Sequence, residues 1–330
     1  MLGTAAALAA IAACVGDDPK PSGGSADDGG GSDSSAAQDG TSGGDSAVAD
    51  AGADACATAD LTKDPRNCGS CSRDCMHGAC SAGVCQPWTV ATFDGGTPVG
   101  PGTDGNHLYY AIDGNVWRVQ VDGGAPVRMT SGLDAKAFAK GATGMLACGT
   151  LGGNAGVYSL PTLPGASSSL LHDVAACNAL VVDGTTVWAG RTASIDEIAT
   201  AQTSQHVLGP FNERLTGGMG VSGDRLFWVN QNAGVWGVAK ASVDAGRAVL
   251  NTDAINEANG LTVADGFAYV TARPAGAGGI LLRVALDGGA SSVLLTSIPQ
   301  SAFQQGVARA PNGAIYFAAG SNLYGYVPPP

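Results

Sequence analysis

Nine cysteines, four histidines and a set of glycine-flanked aspartates are the groups in this 330-residue chain with chemistry to offer. A nucleophile and its base require Ser or Cys brought beside His. Here His77, His107, His172 and His206 fall in different segments, and there is no Gly-x-Ser-x-Gly elbow, His-Glu-x-x-His helix or Walker loop. Outside the N-terminal segment, Asp104, Asp183, Asp224, Asp265, Asp122 and Asp287 each stand beside a turn glycine. Carboxylates in such places ordinarily accept hydrogen bonds from their own backbone. The pattern favours a non-enzyme, and the chemistry that remains is that of the cysteines.

Six of them, Cys56, Cys68, Cys71, Cys75, Cys80 and Cys85, lie within thirty residues. A segment that short cannot build an apolar core, so cross-links must hold it, in any of fifteen connectivities. Zinc on Cys68-x2-Cys71 is the alternative, because thiolates at that spacing form half of a tetrahedral site. Cys148 and Cys177 remain as a pair for a further disulfide, and Cys14 stands alone. The run Asp64-Pro65-Arg66-Asn67-Cys68-Gly69-Ser70-Cys71, continued by Cys75, Gly78, Cys80, Gly83 and Cys85, resembles the cysteine-rich motif of the stigma-specific protein family, which implies a small disulfide module without chemistry of its own.

What must position these groups is written in a repeat. Six times an apolar run meets a turn ending in glycine and a second, bulkier run follows, with the turn at Gly105, Gly144, Gly184, Gly223, Gly266 and Gly313. A period near forty residues is that of a four-stranded propeller blade. The sixth cassette runs out at Pro328-Pro329-Pro330 one strand short, whereas Trp88 to Asp94 alternates like a strand with no cassette before it. The expected fold is therefore all-β: a six-bladed β-propeller over residues 87–330, its last blade completed by the N-terminal strand, so that no open sheet edge is left. Tyr109, Tyr110, Trp188, Trp228, Tyr269, Tyr316 and Phe317 are expected to fill the space between blades.

Residues 15–55 hold nine Asp against one Lys and almost no large apolar side chain, so they account for most of the formal charge of −12. Such a segment cannot offset its ordering entropy and is expected to be a disordered linker with an r.m.s. reach of about 35 Å. The remainder is nearly neutral, without the basic face that nucleic acid requires, so no nucleic-acid partner is expected. Residues 56–86 form the cysteine-rich module. At the N-terminus Ile11-Ala12-Ala13-Cys14 resembles a bacterial lipobox, although no Lys or Arg precedes the apolar run. That resemblance implies a signal peptide over 1–14, lipidation at Cys14, export and attachment to the cell envelope. Val15-Gly16 in place of an inner-membrane Asp implies the outer membrane.

Leu226-Phe227-Trp228-Val229-Asn230 before Gly234-Val235, with a second copy at Leu108 to Gly114, resembles the YWTD class of propeller repeat. Ala258-Asn259-Gly260-Leu261 is similar to the Asn-Gly-Leu strand of sugar-lactonase propellers, which implies Asn259 in the central channel and a divalent cation beside it. Calcium wants several converging oxygens, and the equivalent positions in other blades offer Asn178 and Gln305 but no carboxylate. The preferred function is a binding or scaffold module for an extracytoplasmic protein or glycan, monomeric and without a cofactor. Residues 190–206, 251–258 and 272–279 are expected to be its variable loops. A metal-dependent hydrolase in the channel is the alternative.

Overall fold

The glycine-ended turns fold as tight hairpins. At Asp265-Gly266 both residues take positive φ, 50° and 77°, the left-handed pair that lets a two-residue connection match the twist of its strands. Ala264 and Phe267 then face each other in register. A computed structural model describes residues 58–199, 202–208, 215–230, 234–241, 248–251, 257–274, 278–298 and 303–330; Cys14, the 15–55 segment and Cys56 lie outside them. Among the described residues there is no helix.

A short hairpin, β1 (Cys80–Ser81) and β2 (Val84–Cys85), precedes β3 (Trp88–Thr92). Five antiparallel four-stranded blades follow in chain order. Blade 1 is β4 (Val99–Thr103), β5 (His107–Ile112), β6 (Asn115–Gln120) and β7 (Val127–Ser131). Blade 2 is β8 (Leu133–Lys140), β9 (Met145–Leu151), β10 (Asn154–Ser159) and β11 (Ser169–Asp173). Blade 3 is β12 (Ala179–Asp183), β13 (Thr186–Gly190), β14 (Ile195–Ala199) and β15 (Gln202–Leu208). Blade 4 is β16 (Leu215–Ser222), β17 (Arg225–Asn230), β18 (Gly234–Ala239) and β19 (Ala248–Asn251). Blade 5 is β20 (Glu257–Ala264), β21 (Phe267–Arg273), β22 (Gly279–Ala285) and β23 (Ser291–Ile298). Blade 6 takes β24 (Phe303–Arg309), β25 (Ile315–Ala319) and β26 (Asn322–Tyr326) from the C-terminus and β3 as its outer strand. Leu323 pairs with Ala91 and Gly325 with Trp88, so the two ends of the propeller share one sheet.

The second strand of each blade is bulky because both its faces are buried. Leu108 and Tyr110 pack against Ala314 and Tyr316 of blade 6, whereas Tyr109 and Ala111 point the other way, against Phe138 and Ala147 of blade 2. Six such cores, one between each pair of neighbouring blades, hold the ring. All seven aromatics named from the repeat lie within them and are buried. Each contributes about 2 kcal/mol from removing its apolar surface from water.

The cysteine-rich module is cross-linked through Cys68–Cys80 and Cys75–Cys85, and Cys71 is disulfide-bonded as well. The zinc alternative is thereby overturned, since neither Cys68 nor Cys71 retains a thiolate to ligate. Cys68, Cys75 and Cys85 pack on Val327, and Met76 joins the core between blades 6 and 1.

The loop expectation at 190–206 is also corrected. Residues 190–206 are mostly the third and fourth strands of blade 3. Their alternation is masked because Asp196 occupies a buried position: it pairs with Ala189 as Val235 pairs with Val229 one blade on. In 251–258 and 272–279 only 252–256 and 275–277 lie outside the described residues, and the ends belong to β19, β20, β21 and β22.

Candidate functional site

The first strand of every blade lines the axis, and glycine sets how closely these strands approach. A Cβ on Gly306 would stand 2.4 Å from the Gly100 backbone, one on Gly260 2.8 Å from Gly306, and one on Gly218 2.2 Å from Leu261. Real Cβ atoms do not come so near backbone, so only glycine permits the contact. From this level towards the turns between first and second strands a cavity of about 260 Å³ opens, with residues from all six blades in its wall. Phe138, Leu180, Met219, Leu261 and Val307 make it apolar, and its charged lining residues are Lys140 and Arg309.

The carboxylates around these turns are engaged. Asp104 accepts the backbone N–H groups of Asn106 and His107 at 2.9 and 2.8 Å. Its other oxygen accepts the Tyr109 hydroxyl at 3.0 Å and faces His107 Nδ1 at 3.2 Å. Partial burial pushes the Asp104 carboxyl up, but these donors outweigh it and hold the group below the usual carboxylate range. Asp183 receives Lys240 from blade 4 at 2.5 Å, and Asp265 is ion-paired with Arg309 from blade 6. Lys140 instead donates to a carbonyl, that of Asp104, at 2.8 Å.

The sequence-derived ligand candidates lie near the start of the first strands. Asn178 gives its backbone N–H to Gly190 at 2.7 Å and its side-chain amide to Thr192 at 3.4 Å. Asn259 is the extra residue of a bulge between Ala258 and Gly260. Neither is among the cavity's described lining residues, and Gly260, beside Asn259, serves the backbone contact with Gly306. The backbone of Gln305 lies in β24, while its side chain is outside the described residues. A calcium site does not fit this donor set, because no Asp, Glu or His is among the cavity's described lining residues. Among the described residues the one group of three close metal-ligating atoms is Cys68, Cys75 and Cys85, which are spent in disulfides.

Lys140 and Arg309 were not singled out by sequence reasoning. A signal existed: each stands four residues before its turn glycine, Gly144 and Gly313. Between blades 2 and 3, Cys148 and Cys177 are bridged, with Cα atoms 5.5 Å apart. With the module's cross-links, this points to an oxidising, extracytoplasmic environment.

No protein-family profile matches the chain, and no curated protein matches its sequence. Solved structures do. A gluconolactonase from Xanthomonas campestris is similar at 14% identity and TM-score 0.59, over 74% of this chain and 89% of that one. The calcium-binding protein regucalcin from Agrobacterium tumefaciens is similar at 12% identity and TM-score 0.59, over 73% and 92%. A chain of the nidogen/laminin complex is similar at 14% identity and TM-score 0.52, over 64% and 84%. These likenesses show the fold. The chain is an all-β, six-bladed propeller with a disulfide-rich module before it, and at such identities the neighbours' activities do not pass to it.

Proposed function

We propose that this protein is an exported binding module: a rigid propeller carried on the 15–55 linker and held to the bacterial outer membrane through lipid on Cys14, where it engages an envelope protein or glycan. One observation supports binding over catalysis above the others. The carboxylates next to the cavity, Asp104, Asp183 and Asp265, are engaged by turn backbone or by a cation of the next blade, leaving the cavity's described lining without a carboxylate or imidazole to act as acid, base or hard-cation ligand. The lipobox-like Ile11-Ala12-Ala13-Cys14 and the acidic, glycine-rich linker support the anchor.

A metal-dependent hydrolase of the sugar-lactonase kind is the second reading. It draws on the Asn259-Gly260-Leu261 match and the gluconolactonase and regucalcin folds, and the lack of Asn178 and Asn259 among the cavity's described lining residues weighs against it.

Fractionation of cells expressing the full chain or Cys14→Ser tests the anchor: the parent should pellet with outer membrane and the variant should be soluble. Immobilised protein titrated with solubilised envelope should show saturable binding that a same-sized unrelated propeller does not. Identical fractionation of both forms, or non-saturable capture, would remove the reading.

A further inference from the structure

We propose that the axial cavity is a binding site for a small organic carboxylate, its anionic end held by Lys140 and Arg309 and its apolar body among Phe138, Met219 and Val307. This deepens the binding reading and rests on it. The cavity spans two environments: apolar walls to which all six blades contribute, and two cations, Lys140 on blade 2 and Arg309 on blade 6, where the first strands end. Neither cation is saturated. Lys140 has three donors, and its ammonium is held by the Asp104 carbonyl rather than a carboxylate. Arg309 gives Nη2 to Asp265, while its Nε is buried without a hydrogen-bond partner.

The class of ligand follows from shape and charge. At about 260 Å³ the cavity lies just below the range that encloses drug-sized molecules, so the body must be small. A planar carboxylate matches a guanidinium edge and an ammonium, and an apolar tail matches the remaining wall. Inorganic phosphate carries the charge but has no apolar body to cover the remaining wall. Asp265 lies behind Arg309 and Asp104 behind Lys140, so the pull on the anion is moderate and should weaken as salt is added.

The test uses the full chain labelled with 13C at the methionine methyls. The chain has five methionines, and Met219→Leu assigns the resonance of the one lining the cavity. Hexanoate, 1-hexanol and inorganic phosphate are titrated separately. Hexanoate should shift the Met219 methyl saturably while 1-hexanol and phosphate do not, and Lys140→Gln, whose amide can keep the Asp104 carbonyl satisfied, should weaken hexanoate about tenfold through the lost charge-assisted bond. No saturable shift, equal binding of 1-hexanol or phosphate, or an unchanged affinity in Lys140→Gln would overturn the site. If hexanoate fails while saturable envelope binding persists, this inference falls and the binding reading stands.

Discussion

The guanidinium of Arg73, in the cysteine-rich module, donates to the carbonyl of Val327, immediately beyond the last strand of the propeller, at 3.4 Å. The same side chain holds the carbonyls of Cys68 and Gly83 at 3.2 and 3.3 Å. The module thus grips the chain on both sides of the closing pair. Cys85 stands just before β3, and Val327, on which the cysteines pack, just after β26.

Ring closure should therefore depend on the module's disulfides. In Cys75→Ser/Cys85→Ser, hydrogen exchange should accelerate first in the amides of 88–92 and 322–326, ahead of blades 2 to 4. Arg73→Ala should act in the same place at a cost of about 1 kcal/mol, the usual worth of such hydrogen bonds. Uniform loss of protection around the ring would argue against a clasp.

The Cys148–Cys177 bridge ties blade 2 to blade 3 across a separation of 29 residues. A loop of that length constrains the unfolded chain by about 3 to 4 kcal/mol. Cys148→Ala/Cys177→Ala should lower the urea midpoint accordingly while leaving the closing strands protected. An unchanged midpoint would mean that the bridge adds nothing to stability.

Asp196 is 1% exposed and ion-paired with Arg191 at 2.5 Å. Burial raises its carboxyl above the usual range, with the Arg191 charge opposing. An acid whose folded pKa exceeds its unfolded one holds its proton more tightly when folded, so between those two values stability falls as pH rises. Asp196→Asn should flatten that slope. Arg191→Ala should steepen it and cost about 3 kcal/mol at neutral pH, because it leaves the carboxylate uncompensated. Replacing the pair together, as Arg191→Met/Asp196→Val, with the valine that blade 4 uses at Val235, should be neutral or stabilising by about 1 kcal/mol. Urea titrations near pH 4 and pH 7 distinguish these outcomes, and a slope of the opposite sign would contradict the assignment.

Gly260 was read in the sequence through its Asn-Gly-Leu context, and its structural role is different. Gly260→Ala should separate blades 5 and 6 and cost about 1 to 3 kcal/mol, as overpacking does. A melting temperature equal to the parent's would show that the strands can yield.

The six-bladed ring was legible because each hairpin needs a glycine and each second strand is buried on both faces, which leaves a turn and an apolar run at every blade. The closing role of Trp88 to Thr92 followed from counting strands. Blade 3 was not legible in detail: the Arg191–Asp196 pair puts a charge where the other blades bury Val116, Val157 or Val235, and it reads as loop. The cavity was missed for a different reason. Lys140 and Arg309 are about 170 residues apart in sequence and come to line one cavity only when the ring closes, a long-range consequence that no local pattern carries.

Whether the axis binds without catalysing is tested most directly by measuring calcium content and gluconolactone hydrolysis on one purified sample of the full chain, beside Asn259→Ala. The account predicts substoichiometric calcium and hydrolysis at the buffer rate in both. Stoichiometric calcium with turnover that Asn259→Ala abolishes would contradict it.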